Sequence, residues 1–120
     1  MGYIAKLDEK RRVVVPAKLR RQFTGTPKIR KGTFQPCLIL SSEEDWRKKL
    51  NDIRTNSAQY PIGHEVDFRK NSFDVPLDGK NRIIIPQQLL DMIEIEEKGE
   101  IEFISGDQVE LRKKNKYKTL

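Results

Sequence analysis

Aspartate and arginine stand four residues apart twice in this chain, as Asp8–Arg12 and as Asp78–Arg82. A short Asp side chain can accept backbone N–H groups of its own turn and also pair with the arginine, which holds the planar guanidinium in one orientation. A guanidinium held in this way can make a two-pronged contact with guanine O6 and N7, or with a phosphate. Asp8 would then position Arg12 against a nucleic acid. Lys10, Arg11, Lys18, Arg20 and Arg21 would add mainly phosphate contacts, which give affinity without sequence information. Asp78, Lys80 and Arg82 form the second candidate set. The alternative is that both Asp–Arg pairs are ion pairs that only hold the fold.

The charge distribution bears on that choice. The 120 residues carry 24 Lys and Arg against 18 Asp and Glu, for a net charge of +6 and a pI near 9.5. Residues 1–31 alone hold ten basic side chains and two acidic ones, and the remainder of the chain is slightly acidic. A basic face confined to one part of a chain is the footprint of a polyanionic partner, although a solvated surface gives the same sign. The second set lies in less basic surroundings, so the first is the stronger candidate for a DNA contact.

Both sets sit in an internal repeat. The run LDEKRRVVVPAKLRRQF (7–23) aligns with LDGKNRIIIPQQLLDMI (77–93) at a constant offset of 70. Three consecutive β-branched residues favour an extended, buried strand. The segment before them is a turn candidate, most clearly Asp78-Gly79. Pro16 and Pro86 end the strands and suit the first turn of a following helix. Leu19 with Phe23, and Leu89 with Met92 and Ile93, are expected to direct one helix face into the core. Two further strands follow in each copy: Lys28–Lys31 and, beyond a turn at Gly32, Cys37–Leu40; then Glu100–Ile104 and Val109–Arg112. Each copy therefore reads as ββαββ with an aromatic-bearing tail, Trp46 in the first and Tyr117 in the second. Ser42 can cap a helix whose first turn is acidic and whose inner stripe is Trp46, Leu50 and Ile53. Residues 1–53 form the first repeat, 54–72 a linker, and 73–120 the second repeat.

The remaining chemistry is sparse. Cys37 excludes an internal disulfide and reads as a packed core thiol. His64, the single histidine, has no partners for catalysis or metal binding. Glu94–Glu97 reads as a solvated loop or helix end, and the Lys-rich terminus around Tyr117 as a soluble tail. No nucleophile–base pair, phosphate-cradling glycine loop or metal cluster is evident, so an enzyme, a cofactor and a small-molecule substrate are not expected. No aromatics interleave the basic run, which disfavours single-stranded RNA as the partner. No apolar stretch approaches a membrane span, and the N-terminus lacks an apolar leader, so a cytoplasmic protein is expected. The chain is only 36% hydrophobic, which points to burial completed by further copies of itself.

The paired motifs resemble those of the MraZ family, bacterial regulators within the wider AbrB/SpoVT-like group of DNA-binding proteins. The carrying residues are Leu7–Arg12 followed by VVVPAKLR, and Leu77–Arg82 followed by IIIPQQLL. The blocks Phe34–Leu38 and Glu44-Asp45-Trp46 add to the likeness. The resemblance implies a mainly β fold with short helices (α+β), built as tandem swapped-hairpin β-barrel units related by an internal pseudo-twofold. It implies ring-like homo-oligomers at the nucleoid. These would bind double-stranded DNA at repeated boxes upstream of division and cell-wall gene clusters, including their own operon, through the Asp-x-x-x-Arg face. An AbrB-type antitoxin or sporulation-type regulator with a protein partner is the alternative; the duplicated motif argues against it.

The family motif carries glycine just before the arginine, where this chain has Arg11 and Asn81. Asn tolerates positive φ and Arg does so less well, so the first turn is expected to differ or to be strained. The linker lacks the apolar, arginine-rich helix that the family places before its second motif.

Overall fold

In a strand, successive side chains point to opposite faces, and that alternation splits each β-branched triplet. The computed structural model describes residues 2–32, 36–96 and 98–114. In it, β2 (Arg12–Val14) and β6 (Arg82–Ile84) are three-residue strands. Val13 and Ile83 are buried, while Val14 and Ile84 face outward at 43% and 52% exposure. The expectation of uniformly buried triplets fails at those two positions. Val15 and Ile85, one residue beyond each strand, return to the core at 0% exposure.

β2 and β6 pair with each other as an antiparallel two-stranded ribbon. The other six strands are β1 (Gly2–Lys6), β3 (Lys28–Lys31), β4 (Leu38–Ser41), β5 (Ser72–Asp74), β7 (Glu100–Ile104) and β8 (Val109–Lys113). They form one antiparallel sheet in the order β1-β7-β8-β4-β3-β5. Exchanging the two copies, β1 for β5, β3 for β7 and β4 for β8, turns that order into its own reverse. The pairings β1–β7, β2–β6, β3–β5 and β4–β8 each join a strand of one copy to a strand of the other. The fold is thus mainly β with short helices. Among the described residues the strands close no barrel, and β1 and β5 are the edges of the sheet.

One core fills the space between sheet, ribbon and post-proline turns. Leu7, Val13, Leu19, Ile29, Leu38, Ile83, Leu89, Ile101, Phe103 and Leu111 belong to it. Leu19 and Phe23 are buried as expected. The segment that carries them closes with 3-10 geometry: the Leu19, Gln22 and Phe23 amides each donate three residues back, with the 3-10 turn at Arg20–Gln22. In the second copy the same place holds an α-helix, α3 (Gln87–Met92). The difference follows the side chains. Gln87 donates to Asp91 four residues on (2.9 Å) and supports a full turn. Lys18, Arg20 and Arg21 place like charges on the equivalent turn. On α3 the core side chains are Leu89, Leu90 and Ile93, whereas Met92, expected in the core, is 45% exposed. A stripe at i, i+1 and i+4 leaves i+3 at its solvent margin.

The expected linker is folded. After β4, Ser42 caps α1 (Glu43–Thr55), its Oγ accepting the Asp45 amide at 3.1 Å. A 3-10 turn at Ser57–Gln59 and a second helix, α2 (His64–Lys70), bring the chain back across α1. Leu50, Ile53 and Phe68 form a separate small core with Trp46 and Tyr60. Trp46 stacks on Phe68 at 5.3 Å, and its Nε1 donates to Ser72 Oγ at 2.9 Å. Arg54 pairs with Glu65 at 3.1 Å, tying the two helices at their other end. No helix among the described residues is long and apolar enough to cross a membrane. Phe34 and Gln35 of the family-like block, Glu97 of the acidic run, and Tyr117 with most of the Lys-rich terminus lie outside the described residues.

The reassignment on α3 is measurable. Leu90→Ala, which empties a site 2% exposed, is expected to lower unfolding free energy by about 2–4 kcal/mol. Met92→Ala is expected to change it by less than about 0.5 kcal/mol. Urea unfolding of the two variants checks the order.

Candidate nucleic-acid interface

The two Asp-x-x-x-Arg loops have the same geometry. Asp8 Oδ1 accepts the amides of Lys10 (2.9 Å) and Arg12 (2.8 Å), and Oδ2 accepts Arg12 Nε at 2.7 Å. Asp78 Oδ1 accepts the amides of Lys80 (2.8 Å) and Arg82 (2.9 Å), and Oδ2 accepts Arg82 Nε at 2.8 Å. Each carboxylate therefore folds its own turn and fixes the plane of its arginine. The bond uses Nε and leaves the four N–H groups of the two terminal nitrogens outside it.

Each loop turns through a left-handed residue, Arg11 and Asn81, both at φ 61°. The missing glycines thus leave the two turns alike, and the first is strained rather than different. Gly79, the glycine of the Asp-Gly pair, takes no positive φ, and a Cβ there would meet nothing within 4 Å. The left-handed step aims a carbonyl at the other copy. Arg11 O accepts the Ile85 amide and Asn81 O accepts the Val15 amide, both at 2.9 Å. Each loop therefore closes the ribbon strand that the opposite loop begins.

Ribbon register sets the face that the arginines share. Arg12 lies opposite Ile84, Val13 opposite Ile83, and Val14 opposite Arg82. By alternation, Arg12, Val14, Arg82 and Ile84 occupy the outward face, with the arginines on one diagonal and the aliphatics on the other. Lys10, Arg11 and Lys80 are exposed on the loops at the two ends. Of the basic residues beyond Pro16, Arg20 is fastened to the ribbon, its Nε donating to Val15 O at 2.8 Å. Lys18 and Arg21 are exposed on the turn that follows. Sequence reasoning missed Val14 and Ile84 as members of this face. The signal was each arginine itself, since a strand that turns Arg12 or Arg82 outward also turns outward the residue two positions on, Val14 or Ile84; the look of a continuous apolar run overrode it.

The loops also set the electrostatics. Partial burial works to raise the Asp8 carboxyl, but the Arg12 and Lys10 amides and the Arg12 guanidinium outweigh it and hold it below the ordinary aspartate range. For Asp78 the Arg82 amide is the largest influence. With the Lys80 amide and the Arg82 side chain it overcomes burial, and that carboxyl is also lowered.

Elsewhere, Cys37 is 3% exposed, as expected of a packed thiol, and burial, with the nearby Glu110 carboxylate, pushes its pKa up. His64 stacks on Tyr60 at 5.0 Å. Among the described residues no three His, Cys, Asp or Glu side chains gather as metal ligands.

No protein-family model matches the chain. Curated proteins do. The chain is 36% identical over 110 residues to the transcriptional regulator MraZ of Bacteroides fragilis, covering 86% of this chain and 68% of that protein. It is 34% identical to the MraZ of Phocaeicola vulgatus over 86% of this chain and 70% of the relative. To the MraZ of Mycoplasma mycoides subsp. mycoides it is 30% identical, over 92% and 84%.

Two outcomes follow from the loops. Arg11→Gly relieves a left-handed arginine and keeps every loop bond of Asp8, so a stability gain of about 0.5–1 kcal/mol is expected, read as a raised thermal midpoint. Asp8 and Asp78 titrate lower folded than unfolded, so their contribution is full above the unfolded value of about 3.9 and is lost as pH falls through the lowered folded values. The double variant Asp8→Asn/Asp78→Asn is expected to be less stable at pH 7, with the deficit narrowing below about pH 4; urea midpoints against pH check the crossover.

Proposed function

The chain belongs to the MraZ family of transcriptional regulators, and from that premise we propose that the β2–β6 ribbon is its sequence-reading DNA surface. The observation that carries the reading is the pair of carboxylate-oriented guanidiniums, Arg12 and Arg82, on one outward ribbon face. A two-stranded ribbon fits the major groove of B-DNA, about 12 Å wide, where guanine offers two acceptors to a planar fork. Arg12 and Arg82 contact bases or clamp phosphates, and Asp8 and Asp78 orient them. Lys10, Arg11 and Lys80 sit at the ribbon ends, and Lys18, Arg20 and Arg21 along the flank, to neutralise phosphates.

The interleaved strand pairing and the reversible strand order support the tandem swapped-hairpin reading with its pseudo-twofold. The family resemblance supports a cytoplasmic, nucleoid-associated homo-oligomer, ring-like, acting at repeated boxes upstream of a division and cell-wall gene cluster that includes its own gene. Exposed Ile62 and Val66 on the helical hairpin supply apolar surface for such assembly.

The test is binding to duplex DNA from upstream of the chain's own gene, with and without its repeated boxes, over a salt series. Arg12→Ala is expected to weaken box binding about 10- to 100-fold and to erode the preference for boxes. Lys10→Ala is expected to weaken binding to both duplexes alike and to reduce the slope of log affinity against log salt by about one. Equal binding to duplexes with and without boxes sinks the sequence-reading proposal.

A further inference from the structure

The outward ribbon face is only half basic. Val14 and Ile84 occupy it at 43% and 52% exposure, each directly across the ribbon from an arginine. The two aliphatics fall at equivalent positions of the two copies, so the exposed apolar group is part of the repeated design of the face. A surface that meets only phosphates gains nothing from it. A surface that meets base edges does, because the major-groove floor carries one apolar group, the thymine C5-methyl.

Resting on the DNA-reading role proposed above, we infer that Val14 and Ile84 are specificity-determining residues that read thymine methyls beside the bases contacted by Arg82 and Arg12. Side chains directly opposite on an antiparallel ribbon have Cβ atoms about 4.5–5.5 Å apart. Stacked base pairs are about 3.4 Å apart. The aliphatic across from an arginine therefore falls about one to two base steps from the base that the arginine contacts, within reach of an adjacent base pair. The two Arg–aliphatic units run in opposite senses across the ribbon, so the face reads one such pair at each end. The occupant is DNA rather than a second copy of this chain. Arg12, Arg82, Lys10, Arg11 and Lys80 surround the two aliphatics, and two such faces brought together would oppose like charges.

The methyl can be removed from the ligand without touching the protein. The probe is the box-containing duplex from upstream of the chain's own gene, prepared with thymidine or with deoxyuridine in the boxes, and read by fluorescence anisotropy. Each buried methyl is worth about fourfold in affinity, so with two methyls read the wild-type protein is expected to favour the thymine duplex by about fifteenfold. Val14→Ala/Ile84→Ala is expected to bring that ratio close to 1 while still preferring boxes to box-free DNA. Specific box binding by the wild type that is indifferent to uracil overturns the inference and leaves the DNA-reading role standing. A double variant that keeps the full thymine preference also overturns it, as does one that changes assembly size in sedimentation with that preference unchanged. Absence of box preference in the wild type removes the DNA-reading role itself. Where the double variant does not fold, Val14→Ala alone takes its place and is expected to lose about fourfold of the thymine preference; an unchanged preference overturns the inference.

Discussion

Two carbonyl groups hold the outward face together. Arg11 O and Asn81 O each accept an amide from the opposite copy, from Ile85 and Val15, and they point that way only because both residues turn left-handed. The carboxylates of Asp8 and Asp78 make that turn tolerable. Each gathers two amides and a guanidinium, so the strained residue is spanned by hydrogen bonds on both sides. A left-handed arginine costs about 1–2 kcal/mol, which three charge-assisted bonds per loop offset. The ribbon register, and with it the diagonal of arginines and aliphatics, rests on those two loops.

Much of this could be read in the residues themselves. The repeat, the Asp–Arg spacing, the strand positions and the Ser42 cap all have local causes, and each is found where its cause lies. What escaped has causes that are not local. Strand partners depend on the other copy: nothing within residues 2–6 says that β1 pairs with β7. The outward turn of Val14 and Ile84 depends on which face the core takes. Met92 and Leu90 compete for the same helix margin, and the position of the sheet decides between them. α2 was missed because it is short and mostly charged, with Phe68 as its single buried side chain. It is held by α1, through the Trp46–Phe68 stack and the Arg54–Glu65 pair, more than by any period of its own.

The two copies are unequal in charge but equal in stereochemistry at the ribbon. The excess of basic residues in the first quarter of the chain makes the surroundings of the first loop the more positive. The matching bond lengths at Asp8 and Asp78 give Arg12 and Arg82 the same presentation. Where the copies diverge is the turn after the proline. There Arg20 reaches back to Val15 O, while its counterpart Leu90 goes into the core. One copy uses that position to brace the ribbon with a half-buried arginine, and the other to pack the core.

The interleaving of strands has a consequence for how the chain reaches this structure. Gly2 pairs with Ile104, about a hundred residues away, and β2 and β4 likewise wait for strands of the second copy. Contacts so distant in sequence make for slow folding. On the ribosome the first copy emerges before its partners exist, with Val13, Val15 and Ile29 uncovered and β1 unpaired. The β3–β4 hairpin and the helical hairpin after it pair only with chain already made, so both can close early from local contacts while the rest of the sheet waits for the second copy.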